Sequence, residues 1–87
     1  GLVKDYKVAR TGKDAIEFWA DAVYNELYLD HDLGRGVDGS EALRTICTIY
    51  KKKPKKVTII SRNPVGIERI KNVCNDFKIP FTIAVED

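Results

Sequence analysis

Short apolar runs that break off in polar residues and glycine alternate along this chain with segments of helical periodicity. That alternation restricts the fold more than any other feature. Leu27-Tyr28-Leu29 stops at Asp30-His31-Asp32-Leu33-Gly34, and Val57-Thr58-Ile59-Ile60 stops at Ser61-Arg62-Asn63-Pro64-Val65-Gly66. Near-continuous apolar runs are what buried parallel strands look like, and helices of about 12 residues between them imply right-handed crossovers. The polar residues then fall at the carboxyl edge of the sheet, where open α/β folds place their ligand crevices. Asp30, Asp32, Ser61 and Asn63 can converge there although they are distant in sequence.

The remaining pattern fits one such domain over residues 1–87. Residues 5–10 read as a strand, and Thr11 with Asp14 resembles a capping box for a helix with the stripe Ala15, Phe18, Trp19 and Ala22. Residues 26–30 form a second strand. The glycine-rich residues 31–39 form a loop suited to close ligand approach. Ser40 is the expected N-cap of a helix with the stripe Leu43, Ile46, Cys47 and Tyr50, which ends in the lysines of residues 51–56 around Pro54. Residues 57–61 are a third strand, residues 65–78 a helix with the stripe Ile70, Val73, Cys74 and Phe77, and residues 81–85 a last strand. The order β-α-β-α-β-α-β predicts a three-layer α/β domain with a mainly parallel sheet and flanking helices, of receiver or flavodoxin type.

Composition narrows the function classes. Fifteen basic against thirteen acidic residues leave a net charge of +2, so charge alone implies no polyanionic partner. No apolar run approaches the roughly 20 residues of a membrane span, and the start has no signal-peptide pattern, which favours the cytoplasm. Cys47 and Cys74 fall on helix stripes and read as buried, reduced thiols. The lysines of residues 51–56 lie at the amino edge, away from the proposed site, with no aromatic residue among them to stack bases.

Asp30-His31-Asp32-Leu33-Gly34 followed by Asp38-Gly39, together with Ser61-Arg62-Asn63-Pro64-Val65-Gly66, resembles the cyclic-phosphate processing receiver-like family of bacteria and their phages. The resemblance covers essentially the whole chain. It implies a fold similar to response-regulator receivers and a phosphate-centred site acting on cyclic-phosphate nucleotides or RNA ends. Asp30 matches the receiver's phospho-acceptor position at the end of a central strand, His31 and Asp32 fill the adjacent positions, and Ser61 matches the hydroxyl that contacts a phosphoryl oxygen.

Three departures accompany it. The family normally begins with a strand ending in an acidic pair that helps hold Mg²⁺, whereas this sequence opens at Gly1-Leu2-Val3. That strand lies in receivers between those matching residues 6–10 and 26–30. Three arrangements follow: a fragment, two strands closed up on each other, or another chain in the gap. Ile60 stands where the family usually has His, and no Lys-Pro follows the last strand.

The residue chemistry allows defined roles. Asp30 and Asp32, two apart, face the same side if the strand continues, and with Asp38 they can offer hard oxygens to Mg²⁺. Turn and helix-cap chemistry explains Asp38 equally well. His31 can move a proton, since an unperturbed imidazole titrates near pH 6.5. Ser61 and Asn63 can donate to phosphate oxygens, Arg62 can add a charge-assisted contact, and the amides after Pro64 open a helix whose start favours anions. Gly34 and Gly66 permit close approach, although Gly66 also suits close packing. Asp30, His31 and Asp32 are thus the catalytic candidates, and Gly34, Asp38, Ser61, Arg62, Asn63 and Gly66 the ligand-binding ones. The competing reading is a catalytically degenerate interaction module, a phage-encoded binder or inhibitor, engaging a protein partner or a second copy through an exposed strand edge.

Overall fold

The computed structural model describes residues 3–9, 11–21, 23–30, 38–51 and 53–84. Four strands, β1 (Val3–Ala9), β2 (Val23–Leu29), β3 (Lys56–Ile59) and β4 (Phe81–Ile83), alternate with α1 (Gly12–Asp21), α2 (Gly39–Thr45) and α3 (Pro64–Asp76). Every pairing is parallel and the strand order is β1-β2-β3-β4. The receiver-like α/β reading therefore holds, with the sheet wholly parallel.

Its layering needs one refinement. Because the order is sequential, crossovers of one hand bring every helix to the same side of the sheet. Accordingly α1 packs on α2 and α2 on α3, so among the described residues one helix layer lies on one sheet face, two layers rather than three. Of the three arrangements open for the first two strands, the described residues show direct contact: β1 pairs with β2 in register from Val3↔Val23 to Ala9↔Leu29.

The core lies between helices and sheet. Leu27, Leu29, Val57 and Ile59 project from the sheet and are fully buried against Trp19 of α1, Leu43 of α2 and Ile70 of α3. The expected stripes supply these contacts: Ala15 and Trp19, Leu43, Ile46 and Cys47, and Ile70, Val73 and Cys74 are all buried. Ala22 and Val85, placed by periodicity on a stripe and in the last strand, lie outside the described residues. Burial pushes the thiols of Cys47 and Cys74 up to about 11, so both are unreactive, un-ionised groups at neutral pH.

Helix ends follow local chemistry, with one correction. The N-cap of α2 is Asp38, not Ser40: its carboxylate accepts the Glu41 N–H at 2.9 Å, and the Ser40 hydroxyl donates to the same oxygen at 2.8 Å. A carboxylate binds these donors more strongly than a hydroxyl and complements the positive helix end, so the helix starts one residue before the serine. Beyond Thr45 the helix widens into a π-helical turn, Ile46–Tyr50, where the Thr48 hydroxyl donates back to the Arg44 carbonyl at 2.7 Å. Lys51, with φ 55°, and Lys78, with φ 57°, close the second and third helices in the left-handed region. Arg44 fastens those helices together, 2.9 Å from Asp76 and lying over the Phe77 ring.

Candidate functional site

All four strands are parallel, so their carboxyl ends share one edge. The register Leu29↔Ile59 makes Asp30 and Ile60 neighbours, and the Ile60 N–H donates to the Leu29 carbonyl at 3.1 Å, carrying the ladder to the edge. Ser61 lies one residue beyond, on the adjoining strand. Asp30 and Ser61, thirty-one positions apart in sequence, are thus brought to the same edge, Asp30 following Leu29 and Ser61 following Ile60 on adjoining strands.

Beyond β3 the chain turns tightly into α3. The Ser61 side chain, 2% exposed, accepts the Asn63 N–H at 3.1 Å, and the Asn63 carbonyl oxygen of the side chain accepts the Val65 N–H at 3.0 Å. Pro64 occupies the first helical position, where its missing N–H costs nothing. Gly66 is buried, consistent with close packing of this turn against the sheet. The first-turn N–H groups of α3 point to the carboxyl edge, as a helix start must. Arg62 is exposed beside them.

The described candidates divide by the tasks they carry. Asn63 and Asp38 cap α3 and α2, which is the turn-and-cap chemistry their surroundings also suggested. Asp38 has a further neighbour, the Arg69 guanidinium at 4.0 Å. Asp30 is half-buried at the strand end. His31, Asp32 and Gly34 lie outside the described residues. Of the carboxylates proposed for Mg²⁺, Asp30 alone sits at the strand end among the described residues, because Asp38 is bound to its cap and to Ser40. No group of three or more His, Cys, Asp or Glu side chains among the described residues could hold a metal ion.

Periodicity gave no hint of two features. A groove of about 560 Å³ between α2 and α3 opens beside Asp38, lined by Ser40, Glu41, Arg44, Arg69 and Asn72 among others. It joins residues from two helices whose relative placement depends on tertiary packing. The second is a polar and aromatic row on the sheet side opposite the helices. There the Thr58 hydroxyl donates to the Glu26 carboxylate at 2.7 Å, Lys56 lies 3.8 Å from the same carboxylate, and the Tyr6 and Tyr28 rings meet edge to face at 5.7 Å.

Comparison with known proteins identifies a family match. The family described as the cyclic-phosphate processing receiver domain matches residues 2–76, which includes both strand-end motifs. No curated protein and no solved structure matches the chain. Among the described residues no helix is long and apolar enough to cross a membrane.

Proposed function

This chain belongs to the cyclic-phosphate processing receiver domain family, and from that premise we propose that it binds the phosphate of a nucleotide or RNA end at the carboxyl edge of its sheet. The observation that carries the proposal is the convergence of Asp30 at the end of β2 with Ser61 and the start of α3 at the end of β3. Phosphate oxygens would be held by the Ser61 hydroxyl, by Arg62 and by the N–H groups at the α3 start, where a helix presents donors and partial positive charge. Asn63 serves this site by fixing the direction of that turn. Asp30 would orient water or the leaving oxygen of a cyclic phosphate. His31 would move the proton, with Asp32 and Gly34 as further candidates for contact with the ligand, and Asp38 caps α2. A Mg²⁺ ion, if bound, would take its protein oxygens from Asp30 and Asp32.

One observation favours a second reading, binding without turnover. Opening a cyclic phosphate wants a base and an acid, and the chain has a single histidine, with Ile60 before Ser61 in the second motif. In that reading the domain is an interaction module, and its partner, a protein or a second copy, adds to the open edge at β4, where Ile83 is 44% exposed.

The variant Arg62→Gln tests the proposal. It changes an exposed side chain at similar length, so the fold should survive, as circular dichroism would show. The expected result is a loss of affinity for a 2′,3′-cyclic nucleotide of about 10-fold, the scale of one charge-assisted hydrogen bond. Unchanged affinity in a folded variant would overturn it.

A further inference from the structure

All-parallel sheets are found almost only with both faces covered. Here, among the described residues, the three helices share one side. The other side presents Tyr6, Glu26, Tyr28, Lys56, Thr58 and Thr82 in register. Tyr6 is 60% exposed and Tyr28 half-buried, their rings at an interplanar angle of 71°. Four strands about 4.8 Å apart, with β3 and β4 short, make this side roughly 300–400 Å². A stable protein interface takes about 800 Å² from each partner, so a second copy laid face to face here falls well short.

Its chemistry suits nucleobases. The rings of Tyr6 and Tyr28 can stack on any base, Thr82 and Glu26 offer hydrogen-bonding groups toward base edges, and Lys56 offers an ammonium to a backbone phosphate. The row is also continuous with the phosphate site. Asp30 follows Tyr28 by two residues and so falls on the same side, about 6.6 Å further along the strand, the scale of one nucleotide.

We infer that this open side is a base-stacking platform for a single-stranded RNA end whose terminal phosphate sits at the carboxyl edge. The inference rests on the phosphate site proposed above and extends its ligand from a mononucleotide to an oligonucleotide with two stacked bases. Tyr28 takes the base nearest the terminal phosphate and Tyr6 the next.

Fluorescence anisotropy with a dye-labelled tetraribonucleotide ending in a 2′,3′-cyclic phosphate tests it, with the matching cyclic mononucleotide as competitor. The wild-type chain should bind the tetranucleotide at least about 10-fold more tightly, since each stacked base contributes about 5- to 100-fold. Tyr6→Ala and Tyr28→Ala should each lose about 10-fold for the tetranucleotide, whereas Tyr6→Phe and Tyr28→Phe, which keep the ring, should stay within about 2-fold. Mononucleotide affinity should be unchanged in Tyr6→Ala. Equal affinities for the two ligands, or alanine variants that bind the tetranucleotide like wild type, would overturn the platform and leave the phosphate site standing. If neither ligand binds, the phosphate site falls and the platform with it.

Discussion

Leu29 and Thr58 lie on neighbouring strands of one sheet, yet they face different surroundings. On the helix side Leu27, Leu29, Val57 and Ile59 are wholly buried among aliphatic and aromatic neighbours. On the opposite side Thr58 is shielded chiefly by its hydrogen-bonded neighbours Glu26 and Thr82, with Tyr6 open to solvent. The difference teaches a division of labour. Stability resides on the helix side, where apolar area leaves water. The other side can change its residues at small cost, and is therefore where recognition can be built.

The contrast can be broken most directly by truncation. Leu29→Ala should cost about 2–5 kcal/mol in chemical denaturation, because it removes transfer energy and leaves a cavity. Thr58→Val removes only a hydroxyl whose partner, Glu26, remains accessible to water, so it should cost about 0.5–1.5 kcal/mol. Comparable losses at the two positions would show that the opposite side is covered in solution.

The pH dependence of stability sharpens the same contrast with a smaller effect. Cys47 and Cys74, on the helix side, have thiols raised by burial from 9.0 to about 11. The unfolded chain ionises them first, so their contribution is complete below pH 9 and is lost as pH rises toward 11. Thermal melts across that interval should fall more steeply for the wild-type chain than for the Cys47→Ala/Cys74→Ala variant. Parallel slopes would mean that the thiols are not desolvated.

Much of this was legible in the sequence, for reasons visible at particular residues. The stripe Leu43, Ile46 and Cys47 and the run from Val57 to Ile59 announced their elements because apolar periodicity reports directly which residues leave water. The parallel sheet followed from alternation. The single helix layer did not, because strand order depends on which strands pair, and β1 pairing with β2 is a tertiary choice. The cap of α2 was misplaced by two residues because Asp38-Gly39-Ser40 offers two side chains able to cap and the carboxylate wins. Tyr6 and Tyr28 look like ordinary strand residues until the register sets them side by side. At the site itself, the convergence of Asp30 and Ser61 was readable from two strand ends. The role of Arg69 beside Asp38 was not, because it joins separate helices.

The central claim is that phosphate is held where β2 and β3 end, and an amide NMR titration with a 2′,3′-cyclic nucleotide tests it most directly, with and without Mg²⁺ and with phosphorus spectra of the same sample. The account predicts shifts concentrated at Asp30, at Ser61 to Asn63 and at Val65 and Gly66, with a new phosphorus signal if the phosphate is opened and none if the domain only binds. Shifts spread elsewhere, or a folded sample that does not respond at all, would contradict it.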